Sequence, residues 1–311
     1  MEPCKDAVAY ELYLISRCKA GEKEQFHALI TPYLHTIALF AYSILQNRED
    51  TEEIVQETAL KAFTHLEQLR DGESFKAWLL QIAANEARMR LRQRRAHQFD
   101  SVEGQIQERE FQPRQFVEWR NIPSHELEQK ELRAALVNAL NGLSEGNRAV
   151  FILRDVHHLS SAQTAKILDL SESAVDTRLH RARLQMRELL SSFLQRPTRR
   201  WIPISFRMMA LMGKTMLRRV ISCRRLMREL SNYIDSCIAA ELRQAIDDHL
   251  CLCERCSIVL DTTRKTLYLV GDEKVFDLPF KCTQGWEQLL RKAQASAAPP
   301  SPSTGRKLAG A

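Results

Sequence analysis

The sequence predicts an all-α protein, with two small helical bodies joined by a linker and followed by a helical metal-binding domain. Three observations carry this prediction. Apolar residues recur at helical spacing through most of the chain, as in Phe26, Leu29, Ile30, Tyr33, Leu34, Ile37, Ala41 and Ile44. The period fades between Gln98 and Lys130, where polar and acidic residues surround Pro113 and Pro123. Near the C-terminal third, Asp247 to Cys256 read D-D-H-L-C-L-C-E-R-C, a histidine followed closely by three cysteines. Only Thr266 to Phe276 alternates as a strand would.

These cues divide the chain into a first body at 1–97, a flexible acidic linker at 98–130, a second body at 131–196 and a C-terminal extension at 197–295. A tail at 296–311, rich in proline, serine and alanine, lacks the apolar content to fold. A length of 311 residues is enough for two or three cores. The net charge of +6 is mild, but the basic residues cluster at Arg88–Arg95, Arg178–Arg183 and throughout Arg196–Arg228.

The eight cysteines follow an N-terminus, M-E-P-C-K-D-A-V, without the apolar core of a secretory signal. A cytoplasmic location is therefore expected, where clustered thiols point to metal or redox chemistry. The most apolar candidate span, Trp201–Ile221, is interrupted by Arg207, Lys214, Arg218 and Arg219. Each such charge costs roughly 2.5–3.5 kcal/mol at mid-bilayer depth, so no membrane span is expected. No Ser-His-Asp grouping or phosphate-cradling glycine loop stands out, and no enzyme is expected.

In the first body, N-R-E-D-T-E-E-I-V-Q-E-T-A-L-K-A-F turns Ile54, Val55, Ala59 and Phe63 to a core and leaves Asp50, Glu53, Gln56 and Glu57 as an acidic face. In the next helix, S-F-K-A-W-L-L-Q-I-A-A-N-E-A-R-M-R-L-R-Q-R-R, Phe75, Trp78, Leu79, Ile82, Ala83 and Met89 repeat at helical spacing as an apolar face. Gln81, Asn85, Arg88, Arg92 and Arg95 form a polar stripe on its other side, and Glu86 interrupts the apolar face. Buried aromatics beside an arginine ladder suit a DNA backbone with unstacked bases.

The second body contains S-S-A-Q-T-A-K-I-L-D-L-S-E-S-A-V-D-T-R-L-H-R-A-R from Ser160. Ser160 with Gln163 starts one helix as a capping box, and Ser171 caps another after a short turn. Ala165, Ile167, Leu170, Val175 and Leu179 supply a small core, which makes a helix-turn-helix. Its second helix turns Ser173, Asp176, Thr177, His180, Arg181 and Arg183 outward, with Arg178 in the same basic run. Arginines there suit guanine edges or phosphates, and Asp176 suits a cytosine amine.

Taken in order, E-D-T-E-E-I-V-Q-E, F-K-A-W-L-L-Q-I-A-A-N, the linker, L-S-S-A-Q-T-A-K-I-L and S-A-V-D-T-R-L-H-R-A-R closely resemble bacterial extracytoplasmic-function sigma factors, over roughly Glu11 to Leu194. The resemblance implies that the first body is sigma region 2. Asp50, Glu53, Gln56 and Glu57 would then dock on the β′ clamp helices of core RNA polymerase. Trp78, Asn85, Arg88 and Arg92 would recognise and open the minus-ten element, with Arg95 on the DNA backbone. The second body becomes region 4, reading the minus-thirty-five element beside the β flap. Asp169 stands where a turn glycine is common, and Gln163 where glutamate is. Such a protein is a specificity subunit that captures a strand, and it breaks no covalent bond.

In the C-terminal extension His249 and Cys253 are four residues apart, on one face of a helix, and Cys256 follows one turn on. They offer three converging ligands to Zn²⁺. Cys223, Cys237 and Cys251 compete for the fourth place. Cys251 lies off the helix face and is read as spare or redox-active, and Cys237 as a core residue. Cys223 is the choice, in a stretch similar to the zinc-binding anti-sigma domain, whose pattern is an upstream His or Cys and then H-x3-C-x2-C. The expectation is a sigma factor whose fused zinc domain packs on region 2 or region 4 and modulates access to promoter or polymerase. A zinc-dependent interaction module and a stand-alone helix-turn-helix repressor are the alternatives.

Overall fold

The computed structural model describes residues 3–70, 74–97, 126–194, 221–271 and 275–276, and these are helical with no strand among them. Helices α1 (Pro3–Lys19), α2 (Phe26–Ile30), α3 (Leu34–Leu45), α4 (Arg48–His65) and α5 (Phe75–His97) make the first body. Helices α6 (Glu126–Asn141), α7 (Glu145–Phe151), α8 (Ser161–Leu168) and α9 (Glu172–Leu194) make the second. Helices α10 (Cys223–Ile234), α11 (Ala240–Leu252) and α12 (Glu254–Val270) make the C-terminal domain.

Helix α3 is the axis of the first body, because Ile37, Ala38, Phe40 and Ala41 are apolar on every side and fully buried. It ends where Gln46 turns left-handed at φ 48°, and Asn47 then caps α4 by accepting the Asp50 amide at 3.0 Å. Glu49 and Asp50 in the first turn of α4 complement its dipole. The apolar stretch Lys23–Leu45 has the length and hydropathy to cross a membrane, yet 67% of its apolar window is buried as protein core.

The two bodies share one core. Leu136, Ala139, Phe151 and Ile152 join Phe40, Ile54 and Leu80 in a single buried cluster, which also takes Leu269, Val270 and Phe276 from the C-terminal domain. At this junction Arg148 donates to the Ser43 carbonyl at 2.5 Å, and Gln46 to Asn141 at 3.2 Å. Helix α6 opens at Glu126, inside the stretch read from sequence as linker. The remaining linker residues, 98–125, lie outside the described residues, as do Trp201–Val220 and the tail.

The strand expected over Thr266–Phe276 is not present. Helix α12 continues to Val270, burying Thr262, Thr263, Thr266, Leu269 and Val270 at spacings of three and four while Tyr268 is exposed. Threonines at 262, 263 and 266 return their hydroxyls to carbonyls three or four residues back, so these β-branched residues are accommodated in a helix.

Candidate nucleic-acid interface and metal centre

In the first body the acidic face of α4 meets the basic ladder of α5. Glu53 pairs with Arg90 at 2.7 Å, Glu57 lies 3.8 Å from the same guanidinium, and Asp50 pairs with Arg94. Gln56 is half-buried beside them. Glu86, which breaks the apolar pattern of α5, is buried and bonds Lys61 at 2.5 Å. Burial and the neighbouring Glu86 carboxylate push the Glu57 carboxyl above its ordinary range.

Trp78 packs partly buried on Phe75, with ring centroids 6.0 Å apart, and Phe75 meets Tyr33 edge-on at 5.5 Å. Asn85 and Arg92 are exposed, as a strand-capturing face needs. Arg88 is engaged instead, bonding Asn85 at 3.2 Å and the Ile167 carbonyl at the end of α8. The side chain of Arg95 lies outside the described residues.

The helix-turn-helix forms as its sequence dictates. Ser160 accepts from the Gln163 amide at 3.1 Å while the Gln163 side chain accepts from the Ser160 amide at 2.9 Å, completing the capping box. Asp169 adopts φ 56° in the turn, the left-handed geometry that glycine would take without strain and aspartate tolerates. Ser171 accepts from the Ala174 amide at 3.2 Å to start α9. Ala165, Val175 and Leu179 form a small core with Val150, whereas Ile167 faces the first body.

On α9, Ser173 and Thr177 are exposed, and Arg178 and Arg181 are half-exposed. Asp176 is tied by the Ser161 hydroxyl at 2.9 Å, which places its charge at the start of α8. Arg183 corrects the outward placement expected from sequence. It is buried, with its Nε and Nη2 on Asp155 at 2.9 and 2.6 Å and its Nη1 and Nη2 on Asp235 at 3.0 and 2.9 Å. Burial alone would lower its pKa, but the two carboxylates outweigh that and raise it.

The reason is the C-terminal domain. Ser173, Thr177, His180, Leu184 and Arg187 fall at spacings of four, three, four and three, one stripe along α9. The first two face solvent, while the later ones meet α10 and α12. His180 bonds the Ser231 hydroxyl at 3.2 Å, Arg187 donates to Thr262 at 2.7 Å, and Leu184 joins Leu226, Leu230, Val259 and Leu260 in that domain's core. Three expected DNA contacts, Arg88, His180 and Arg183, are thus occupied within the chain.

Cys223, His249, Cys253 and Cys256 converge, with their ligand atoms all within 4.8 Å of one another. Cys253 does not continue the helix of His249. It caps α11 in an extended conformation and starts α12, so the four donors come from a helix–helix joint and from the first residue of α10. Cys223 Sγ lies 3.5 Å from His249 Nε2 and 3.8 Å from Cys253 Sγ. Metal–sulfur bonds of about 2.3 Å and a metal–nitrogen bond of about 2.0–2.1 Å give tetrahedral edges of roughly 3.6 and 3.8 Å. The donor set therefore fits one small tetrahedral cation, and these residues could hold a metal ion.

Burial, with Cys253 and Cys223 beside it, raises the Cys256 pKa. Cys253, though burial opposes it, is lowered by the amide and thiol of Cys256. A cation at the centre would relieve the crowding of thiolate charge. Cys251 is exposed and outside the cluster, as expected. Cys237 is exposed too, against the core role read from sequence, because it follows the left-handed turn at Ser236 that ends α10.

Asp155, Asp235 and Arg187 were missed by sequence reasoning. Their partners lie 28, 52 and 75 residues away, beyond the reach of helical spacing.

Residues 29–97 match the family description "Sigma-70 region 2", and residues 133–186 match "Sigma-70, region 4". The ECF RNA polymerase sigma-E factor of Escherichia coli K12 is 27% identical over 170 residues, covering 55% of this chain and 88% of that protein. The ECF RNA polymerase sigma factor SigW of Bacillus subtilis is 26% identical over 176 residues, covering 57% and 94%. A solved sigma factor RpoE in complex with the anti-sigma factor NepR, from Bartonella quintana, aligns at 26% identity and TM-score 0.40, over 54% of this chain and 98% of that one.

Proposed function

We propose that this chain, whose residues 29–97 and 133–186 match sigma-70 regions 2 and 4, is an ECF-type sigma factor that directs core RNA polymerase to promoters and is restrained by its own zinc-bearing C-terminal domain. Its relatives are sigma factors, specificity subunits rather than enzymes. In the first body Asp50, Glu53, Gln56 and Glu57 dock on the β′ clamp helices, and Trp78, Asn85, Arg92 and Arg95 hold the opened minus-ten strand, joined by Arg88 once it leaves the Ile167 carbonyl. Ser173, Asp176, Thr177, Arg178, His180 and Arg181 read the upstream element in the major groove, next to the β flap. Work with polymerase and promoter DNA places the protein in the cytoplasm.

One observation carries the regulatory half of this reading. The stripe of α9 whose start would enter a DNA groove is covered from His180 onward by α10 and α12. Duplex DNA and the docked domain then compete for adjoining parts of one helix face. Zinc at Cys223, His249, Cys253 and Cys256 ties α10 to the α11–α12 joint and so sets the surface that α9 meets. With four protein donors no position is left for a reactive water, which makes the site structural or sensory. A two-electron oxidant such as a peroxide, reduced to water as two of the three thiolates join in one disulfide, would release the ion and loosen the docked domain.

The test is run-off transcription with core polymerase, comparing the native chain with Thr262→Arg, which sets a second guanidinium against Arg187. The variant should give more transcript at equal protein. Equal or lower output would remove the restraint, and no transcript from either would remove the sigma activity. Metal analysis of the purified chain should find one zinc per protein, and its absence would remove the zinc assignment.

A further inference from the structure

The contact between Arg183 and Asp235 has a feature that simple packing does not require. Asp155 and both arginines of the cluster, Arg154 and Arg183, belong to the helix-turn-helix body, and Asp235 alone comes from the C-terminal domain. Asp235 takes the Arg183 fork on both oxygens and lies 3.6 Å from Arg154 Nη2. Two arginines and two aspartates balance in the docked state. Without Asp235 the DNA-reading body has two guanidiniums facing one carboxylate.

Nor does its own helix favour an aspartate there. Asp235 is the C-cap of α10, where the helix dipole is negative and a cation would be favoured. Ser236, which follows at φ 62°, spends a left-handed conformation that serine adopts rarely to turn the chain at that point. Both features cost α10 stability, and the compensation lies across the interface in Arg183 and Arg154. A carboxylate and a phosphate diester offer an arginine fork the same pair of acceptor oxygens.

We propose that Arg154 and Arg183 form an anion site on region 4 that takes a DNA backbone phosphate, and that Asp235 fills this site in cis while the C-terminal domain is docked. Arg183 lies six residues beyond Thr177 on α9, about 9 Å along the axis. Residues set back from the base-reading turn by this distance are the ones that meet the backbone flanking the groove. Asp155 keeps Arg183 oriented in both states, and Arg154, held through Nη1 by the Leu159 carbonyl, is left with its Nη2 facing the vacated place. The inference rests on the reading that docking restrains DNA binding, and it names the contact responsible.

The experiment measures binding of full-length protein to a short mixed-sequence DNA duplex across a salt series, for the native chain, Asp235→Ala, Asp235→Ala with Arg154→Ala, and Thr262→Arg. Asp235→Ala removes the interface carboxylate held by Arg183 together with an unfavourable helix-end charge, and its helical content and melting show whether it is folded. It should bind roughly tenfold tighter than native, with a log–log salt slope steeper by about 0.9 for the phosphate gained. Adding Arg154→Ala should return the slope to the native value. If Thr262→Arg binds tighter and Asp235→Ala does not, docking restrains DNA but Asp235 is not the clasp, which overturns the inference alone. Tighter binding by Asp235→Ala with a slope that Arg154→Ala leaves unchanged overturns the phosphate site. If neither variant differs from native, the regulatory reading falls with it.

Discussion

The protein has two charged seams built from the same residue types, and they differ in depth. Between α4 and α5, Asp50, Glu53 and Glu57 meet Arg94 and Arg90 at the surface, where Glu53 is half-exposed. Between α9 and the C-terminal domain, Arg183 is 4% exposed and holds two carboxylates at once. Exposed pairs contribute little, about 0–1 kcal/mol, so the first seam can exchange its partners at small cost, as the proposed docking on polymerase requires. The buried seam cannot be half-opened without leaving a charge unpaired, which makes it suited to two discrete states.

The comparison is broken or sharpened by a graded set of variants. The largest effect belongs to the zinc proposed at Cys223, His249, Cys253 and Cys256. Removing it with a chelator, or by Cys256→Ser, should cost most of the folding energy of the C-terminal domain, since structural zinc contributes roughly 10–16 kcal/mol in small modules. Calorimetry should show that domain's transition lost, while the shared core of the two sigma bodies still melts cooperatively.

Next comes Arg183→Ala, which strands Asp155 and leaves Asp235 facing Arg154 alone. It should destabilise the chain by about 3–5 kcal/mol in denaturant titration, as expected for breaking a buried pair from one side. A loss below about 1 kcal/mol would put this seam in the same class as the surface one.

Glu53→Ala, at the exposed pair with Arg90, should cost no more than about 1 kcal/mol in the same titration. Its binding to core polymerase, read by co-purification, should nonetheless fall, because the exchangeable face has lost a docking carboxylate.

The smallest effect is that of Glu57→Gln. Burial and Glu86 hold the Glu57 carboxyl above its ordinary value in the folded state. The folded protein therefore binds this proton more tightly than the unfolded chain, and the gain is present at low pH and lost as pH rises through the folded pKa. Glutamine should slightly stabilise the protein at neutral pH relative to native, with the advantage vanishing on acidification. Melting curves across that range would show it, and a constant difference at all pH values would contradict it.

Much of this architecture was legible in the sequence, because it rests on local rules. The Ser160–Gln163 capping box, the turn at Asp169 and the Ser171 cap are set by residues within three or four positions of one another. Three of the four candidate metal donors, His249, Cys253 and Cys256, were legible from their spacing, while Cys223 was chosen through the likeness of its stretch to the anti-sigma pattern. Their arrangement was not, because the extended backbone at Cys253 breaks the helix that the spacing implied.

What the sequence concealed was tertiary. Arg183 reads as an outward DNA contact until Asp155 and Asp235 arrive from distant elements to bury it, and nothing in helical spacing pairs Arg187 with Thr262. Ile167 looked like a residue of the small helix-turn-helix core, but the first body covers it. The strand pattern over Thr266–Phe276 failed because a buried threonine satisfies its hydroxyl within a helix as readily as a strand buries its methyl.

Hydrogen exchange along α9 in the free, full-length protein tests the docked state most directly. Peptides covering His180–Ser191 should be protected in the native chain and exchange faster in Thr262→Arg, while the α6–α7 peptides keep their protection in both. Equal exchange over His180–Ser191 in the two proteins would contradict the account, because the C-terminal domain would then not be covering the recognition helix in solution.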